Sequence, residues 1–192
     1  MSRRKAVFLD RDGTLLDELG YLDAPEKLRF LPDLFGPLLA LREQGYFLCV
    51  LTNQSGVARG YFDEATLAEI HAYMSSVMGE HGVAPDGLLY CPHHPDIGVE
   101  RYRKLCQCRK PRPGLFLEAA RRFELDLEQS FAIGDSLRDL QAAEAAGIQE
   151  PILVLTGKGL ATQDELSEAE KARTRVVPDM QAAVRSILST AS

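Results

Sequence analysis

The stretch Val7-Phe8-Leu9-Asp10-Arg11-Asp12-Gly13-Thr14-Leu15 is an apolar run that ends in two aspartates one residue apart. We expect a buried strand here, and because side chains alternate along a strand, Asp10 and Asp12 could face the same side. Two carboxylates so close repel each other, and Mg²⁺, which prefers carboxylate, water and phosphate oxygens, would compensate for that repulsion. The alternative interpretation is an Asp-rich turn that closes a strand and binds nothing.

The composition restricts the class of protein. The 192 residues fit a single domain, 1–192, with a sizeable core. No apolar run approaches the roughly 20 residues of a membrane span, and the basic N-terminus lacks a signal-peptide pattern, so we expect a cytoplasmic protein with no membrane partner. The net charge of −6 argues against a nucleic-acid partner. Because every predicted apolar helix face has a partner, we expect a monomer.

Apolar runs alternate with amphipathic segments along the chain, which predicts an α/β fold: a Rossmann-like three-layer sandwich with a central parallel sheet. The predicted strands are residues 5–9, 47–51, 87–90, 130–133, 152–155 and 176–177. Predicted helices begin at Pro32 (ending at Gly45), after the N-cap Asp63, at Pro113, after Ser136, near 164–171 and after Asp179.

Polar residues follow three of the predicted strands. Asp10 and Asp12 follow the first, Thr52 and Asn53 the second, and Asp135 the fourth. In a parallel α/β sheet, ligands bind beyond the carboxyl ends of the strands. These residues are therefore predicted to converge in one active site.

A second cluster lies in a loop at about 91–108. Cys91-Pro92-His93-His94 and Cys106-Gln107-Cys108 supply three thiolates and an imidazole, a set that suits tetrahedral zinc. With Cys91, His93, Cys106 and Cys108 as ligands no position stays open for water, so we expect structural Zn²⁺. Two alternatives remain open: the thiols bind no metal, or His94 replaces His93.

The motifs in this order resemble those of haloacid dehalogenase superfamily phosphatases. The first motif corresponds to residues 10–14, the second to Thr52 and Asn53, the third to Lys110, and the fourth to Asp135 with Asp139. The resemblance implies a fold without a large cap domain, because only one helix separates the first two motifs.

The same resemblance assigns roles to these residues. Asp10 would attack phosphorus to form an aspartyl-phosphate, and Asp12 would act as general acid and then base. Thr52 and Lys110 would stabilise the transferring group. Mg²⁺ would bind to the Asp10 carboxylate, the Asp12 backbone carbonyl and Asp135. Asp139 would support a metal-bound water or Lys110, or simply cap a helix.

The zinc loop is similar to that of the D-glycero-D-manno-heptose-1,7-bisphosphate 7-phosphatases and their histidinol-phosphatase relatives. This resemblance implies a sugar bisphosphate substrate from ADP- or GDP-heptose precursor synthesis, the route to lipopolysaccharide, with Arg109 gripping its second phosphate. The predicted substrate contacts are Asp10, Arg11, Asp12, Glu18, Leu19, Gly20, Tyr21, Thr52, Asn53, Gln54, Ser55, Arg109, Lys110 and Ser136. One residue departs from the pattern: Ser136 stands where these phosphatases commonly carry lysine.

Three other functions are compatible with part of this sequence pattern. A histidinol-phosphatase would need acidic groups for the substrate amine, and Glu18 and Asp17 are the obvious candidates. A polynucleotide 3′-phosphatase shares the superfamily motifs, but the chain is acidic and lacks an aromatic and basic stacking surface. A zinc-stabilised binding module without activity would not need to keep carboxylates that repel each other.

Overall fold

The central strand of the structure, β1 (Arg4–Leu9), is covered by apolar side chains on both faces. The structure, a computed structural model, describes residues 3–190. Val7 and Leu9 pack into the core on one face of the sheet, while Ala6 and Phe8 pack into the core on the other. The uninterrupted apolar run therefore reflects a strand buried on both sides, as is usual in parallel sheets.

The sheet has six parallel strands in the order β3-β2-β1-β4-β5-β6. The other strands are β2 (Phe47–Asn53), β3 (Gly87–Cys91), β4 (Leu125–Gly134), β5 (Ile152–Val154) and β6 (Arg175–Val177). Because β2, β1 and β4 are neighbours, their carboxyl ends meet at one edge. The predicted α/β class with a central parallel sheet is confirmed.

Helices cover both faces of the sheet. They are α1 (Phe35–Glu43), α2 (Ser55–Arg59), α3 (Glu64–Glu80), α4 (Gly114–Phe123), α5 (Leu137–Ala146), α6 (Gly159–Glu165), α7 (Glu168–Lys171) and α8 (Met180–Thr190). Leu38 of α1, Met74 of α3 and Ile187 of α8 pack against one face. Phe116 of α4 and Ala142 of α5 pack against the other, which completes the three layers. No helix in the described part of the chain is long and apolar enough to cross a membrane.

The prediction that Pro32 begins a helix is wrong. The helix α1 begins at Phe35, because Asp33 has a φ of 53° in the left-handed region, which a right-handed helix cannot include. The proline in its first turn is Pro37. Gly45, with a φ of 77°, follows the end of the helix as predicted.

Three further boundaries differ from the prediction. Strand β4 begins at Leu125 rather than at residue 130, because its pairing with β1 shifts register and Ser130 Oγ accepts a hydrogen bond from the Ala6 N–H at 2.9 Å. The helix predicted near 164–171 is two helices, because Leu166 has extended backbone and Ser167 caps the second. Helix α2 forms in a segment for which no helix was predicted.

Candidate active site

A buried lysine joins the carboxyl ends of three neighbouring strands. Lys110 Nζ donates to Asp10 Oδ1 and to the Leu51 carbonyl, each at 2.7 Å, and lies 2.6 Å from Asp139 Oδ1. Burial alone would lower the pKa of Lys110, but Asp10 and Asp139 outweigh it and the pKa is raised. Lys110 is therefore a fixed positive charge within the site.

An acidic cluster surrounds this lysine. Oxygen atoms of Asp10, Asp135 and Asp139 lie within 4.8 Å of one another. Burial, followed by the charge of Asp139, raises the pKa of Asp10 to about 7, and burial raises that of Asp135 to about 6. Burial therefore destabilises the ionised forms of Asp10 and Asp135 more than nearby positive charge stabilises them.

The donor set of this cluster fits a divalent cation. Asp135 Oδ1 is buried and has no hydrogen-bond partner among residues 3–190. Asp139 is already engaged, because it pairs with Lys110 and accepts from the backbone N–H and hydroxyl of Ser136. Asp10 and Asp135 are consequently the side chains best placed to hold Mg²⁺, a cation that prefers such carboxylate oxygens.

Two backbone segments close around Asp135. A Cβ on Gly13, whose φ is 81°, would lie 2.0 Å from Asp135 Oδ2, so only glycine permits this approach. The Lys158 N–H donates to the same oxygen at 2.8 Å, and Thr156 Oγ1 donates to the Gly13 carbonyl at 2.6 Å. Sequence reasoning missed this loop, although Thr156-Gly157-Lys158 also follows a strand end.

The carboxylate of Asp12 has different partners from that of Asp10. The Arg11 guanidinium contacts both of its oxygens at 3.0–3.2 Å, and Gln54 Nε2 donates to Oδ2 at 2.8 Å. Strand β1 ends at Leu9, so strand alternation does not set the orientation of Asp12, and the shared side of Asp10 and Asp12 stays a prediction. The charge of Asp12 nevertheless contributes to raising the pKa of Asp10.

Residues at and just after the end of β2 form hydrogen bonds with Asp12 and with the backbone of Lys110. Gln54 Nε2 also donates to Thr52 Oγ1 at 2.8 Å. Asn53 binds the backbone of Lys110 from both sides: its Nδ2 donates to the carbonyl, and its Oδ1 accepts from the N–H, each at 3.1 Å. Asn53 therefore fixes the backbone from which the Lys110 side chain enters the cluster.

A cavity of about 270 Å³ opens in front of Asp12. Its lining contains the predicted residues Asp12, Glu18, Gly20, Tyr21, Asn53, Gln54, Ser55 and Arg109, and also Gly56, Arg138 and Lys158. Six predicted contacts lie outside this set, and three of them, Asp10, Thr52 and Lys110, are buried among the groups described above. The Arg11 side chain is buried, Leu19 is 61% exposed, and Ser136 is buried with its hydroxyl on Asp139.

Two arginines form the positive wall of the cavity. Arg109 donates to the His93 carbonyl at 3.0 Å, which ties it to the Cys/His loop. Within residues 3–190 the Arg138 guanidinium has no hydrogen bond or ion pair. Burial lowers the pKa of Arg109, and the charge of Arg138 contributes to this lowering. Arg138 could have been found from the sequence only through its position one residue before Asp139.

The Cys/His cluster has the geometry of a zinc site. The sulfur atoms of Cys91, Cys106 and Cys108 lie 3.2–3.6 Å apart, and Nδ1 of His93 lies 3.3–3.6 Å from two of them. A tetrahedral ion with Zn–S bonds of about 2.3 Å requires sulfur separations of roughly 3.8 Å, close to those found. Nδ1 of His94 instead accepts from the backbone N–H groups of Asp96 and Ile97.

A carboxylate held beside a buried lysine, with a second carboxylate suited to a cation, matches what phosphoryl transfer needs. Residues 107–183 match the HAD-hydrolase-like family. The chain is thus a phosphatase of the haloacid dehalogenase superfamily, as the order of its motifs predicted.

Comparisons with individual proteins narrow this class. The D-glycero-beta-D-manno-heptose-1,7-bisphosphate 7-phosphatase of Photorhabdus laumondii is 42% identical over 185 residues, covering 95% of this chain and 96% of that protein. The Escherichia coli K12 enzyme of the same name is 41% identical, with 83% and 84% covered. A crystal structure of the D,D-heptose 1,7-bisphosphate phosphatase from B. bronchiseptica, complexed with magnesium and phosphate, has a TM-score of 0.84 at 39% identity, with 97% and 99% covered. The chain belongs to the D-glycero-beta-D-manno-heptose-1,7-bisphosphate 7-phosphatase family.

The two hydrogen bonds between the Asn53 side chain and the Lys110 backbone form a clamp, which gives a stability prediction. Replacing Asn53 with alanine leaves the buried Lys110 N–H and carbonyl without partners, so Asn53→Ala should lower the free energy of unfolding by about 1–3 kcal/mol. Urea unfolding followed by circular dichroism measures this change. The control Gln149→Ala alters an exposed amide and should stay within about 0.5 kcal/mol of the parent. Equal effects of the two substitutions would contradict the clamp.

Proposed function

We propose that the chain is a Mg²⁺-dependent phosphatase that removes the 7-phosphate of D-glycero-D-manno-heptose 1,7-bisphosphate through an aspartyl-phosphate on Asp10. The observation that carries this proposal is the distribution of positive charge around the site. Lys110 lies beside Asp10, and Arg109 and Arg138 line the cavity in front of Asp12. The names of the relatives support the same substrate.

The proposed Mg²⁺ ligands are the Asp10 and Asp135 carboxylates and the backbone carbonyl of Asp12. The unpartnered Oδ1 of Asp135 supports this assignment. When bound, the cation supplies positive charge that reduces repulsion between the Asp10 carboxylate and the substrate phosphate. Thr52 and Lys110 are proposed to stabilise the charge of the transferring group.

In the proposed first step, a carboxylate oxygen of Asp10 bonds to phosphorus while the bond between phosphorus and the sugar oxygen breaks. Asp12 donates its proton to that leaving oxygen. In the second step Asp12 takes a proton from water, whose oxygen attacks phosphorus and displaces Asp10. Inorganic phosphate and the free Asp10 carboxylate result, and Asp12 is again protonated.

Arg109 and Arg138 are proposed to bind the phosphate that does not react. Each guanidinium offers a planar fork of donors suited to phosphate oxygens. The like charges of the two side chains oppose each other, and an anion between them would relieve that repulsion. Arg138 would thereby supply the charge that these phosphatases commonly place on a lysine at the position of Ser136. The other cavity-lining residues predicted from the sequence complete the proposed contacts; Leu19 stays a prediction.

Zinc is proposed to bind Cys91, His93, Cys106 and Cys108 in a structural role. Because Arg109 donates to the carbonyl of His93, the cluster would also hold one substrate-binding arginine in place. The cytoplasmic location, the monomeric state, the role in lipopolysaccharide precursor synthesis and the single domain with a zinc loop at about 91–108 belong to this proposal as well.

The two alternative activities have less support. For a histidinol-phosphatase, Glu18 would have to bind the substrate amine, but Lys158 Nζ lies 3.3 Å from its carboxylate. Asp17 is exposed and does not line the cavity. The three proteins compared above are named as heptose-bisphosphate phosphatases, which favours that substrate over a polynucleotide.

The first test concerns the nucleophile. Asp10→Asn should abolish phosphate release, because an amide cannot form the acyl-phosphate. Acid quenching of the parent with ³²P-labelled substrate should leave label on the protein that hydroxylamine removes, whereas Asp10→Asn should carry none. The control Asp164→Asn makes the same chemical change at an exposed position and should keep both signals. Substantial turnover by Asp10→Asn would rule out this role.

The second test concerns zinc. Elemental analysis of protein purified without chelator should find about one zinc per chain, and Cys106→Ser should lose most of it together with several degrees of thermal stability. Cys49→Ala removes a buried thiol outside the cluster and should keep the metal. Zinc-free protein with unchanged melting temperature and activity would refute a structural site.

The third test separates the two phosphate environments. Arg109→Ala and Arg138→Ala should chiefly raise KM for the bisphosphate, because their contacts are similar in ground and transition states. A charge-assisted contact of about 1.5–3 kcal/mol corresponds to roughly one to two orders of magnitude. Lys110→Ala should chiefly lower kcat.

A monophosphate that lacks the second phosphate is the control substrate. With it, the two arginine variants should resemble the parent, while Lys110→Ala should remain severely impaired. If Arg109→Ala impaired both substrates equally, Arg109 would belong to the reacting centre or to the fold of the loop.

A further inference from the structure

Next to Asp12 lies a buried pair of side chains that has no part in the chemistry above. Arg11 is 1% exposed, the largest of the fully buried side chains, and His71 of α3 is also buried. Their contact joins two residues 60 positions apart: Arg11 Nη1 lies 3.2 Å from His71 Nε2. A buried guanidinium is costly unless its donors find well-placed acceptors, which Asp12 and His71 provide here.

We propose that His71 is a positioning residue that acts through Arg11 to orient the Asp12 carboxylate for proton transfer to the leaving oxygen. This inference rests on the proposed role of Asp12 as acid and base. Its basis is the contact pattern of Arg11, which uses two nitrogens on Asp12 and the third on His71.

The direction of the contact between Arg11 and His71 follows from chemistry. Arginine has only donors, so Nε2 of His71 must accept the hydrogen bond and its proton must reside on Nδ1. Burial, with the charge of Arg11 contributing, lowers the pKa of His71 to about 3, so the ring is neutral near pH 7. His71 is therefore a permanent acceptor.

A neutral acceptor has a specific consequence for Asp12. A carboxylate in place of His71 would compete for the charge of Arg11. With a neutral imidazole there, Asp12 is the one carboxylate that Arg11 contacts within residues 3–190. Because Arg11 and Asp12 are adjacent in sequence, their pairing alone leaves the long arginine side chain several conformations. The bond to His71 selects one, and Gln54 holds Asp12 Oδ2 from another direction.

The exposed part of Asp12 lies at the cavity. Its side chain is 22% exposed and contributes to the cavity lining, whereas Arg11 does not. The Asp12 carboxylate is thus hydrogen-bonded to Arg11 and accessible from the cavity. Loss of the His71 contact should leave substrate binding intact and change the orientation of the Asp12 carboxyl group that donates the proton.

The test compares two leaving groups in the full-length enzyme with Mg²⁺. An alkoxide leaving group needs a proton as it departs, whereas p-nitrophenolate hardly does. The measured quantity is kcat/KM, which covers only the steps up to departure of the leaving group, for heptose 1,7-bisphosphate and for p-nitrophenyl phosphate. The ratio of the two values does not depend on the folded fraction, so partial unfolding of a variant does not affect it.

His71→Phe keeps a ring beside Tyr90 but removes the acceptor, and should lower this ratio by about tenfold or more. His71→Gln offers an amide oxygen to Arg11 and should restore the ratio to within about threefold of the parent. His81→Phe, at the exposed end of the same helix, should leave the ratio unchanged.

Asp12→Asn separates the two possible failures. If Asp12→Asn does not lower the ratio, the proposed role of Asp12 is wrong and the inference falls with it. If Asp12→Asn lowers the ratio and His71→Phe does not, the role of Asp12 stands and the positioning role of His71 is overturned. An equal loss on both substrates in His71→Phe, with no rescue by His71→Gln, would likewise overturn it.

Discussion

The arrangement of the site depends on the contacts that the Lys110 ammonium group makes. Removing a charged group from water is costly, and the cost is offset only when its donors find well-placed acceptors. Here the acceptors come from the end of β1 (Asp10), from β2 (the Leu51 carbonyl) and from α5, which follows β4 (Asp139). The ammonium therefore has its partners only when β2, β1 and β4 lie side by side, as they do in the sheet. The same contacts that hold the three strand ends together place Asp10 for its proposed reaction.

The sequence predicted the parallel sheet and most of the groups at its edge, because apolar runs followed by polar residues carry local information. Asp10, Thr52 and Asp135 were found in this way. Arg138 and the loop of Lys158 were missed, because their part in the site depends on which side chain turns into the cavity. The start of α1 was wrong for a similar reason: the left-handed backbone at Asp33 has no clear signal in a segment that contains Pro32 and Pro37. Asp12 lies beyond the end of β1, so strand alternation does not determine the orientation of its side chain.

Arg109 and Lys110 are adjacent in sequence, yet their side chains meet opposite environments. The ammonium of Lys110 enters the buried carboxylate cluster, while the guanidinium of Arg109 is anchored to the His93 carbonyl and lines the cavity. Asn53 holds the Lys110 backbone at the point where the chain leaves the Cys/His loop. A change in the conformation of this loop would therefore displace the Arg109 side chain more than the Lys110 side chain, because Lys110 has separate partners at the end of β1, in β2 and in α5. With Arg109 in its proposed role, this separation would allow the loop to affect substrate binding without disturbing the contacts of Lys110.

The distribution of charge argues for a substrate with two phosphates. The chain is acidic overall, and its site contains three buried aspartates around one buried lysine. Such a centre repels an anion until a cation is bound, so attraction for a phosphate substrate must come from elsewhere. Arg109 and Arg138 are proposed to supply it, because both line the cavity and neither guanidinium has a direct carboxylate contact within the described residues. The more distant charges of Asp139, Asp10 and Asp135 raise the pKa of Arg138, which keeps it positively charged. In this proposal a second phosphate contacts both guanidinium groups and a monophosphate does not, so the two arginines are a source of specificity for the bisphosphate.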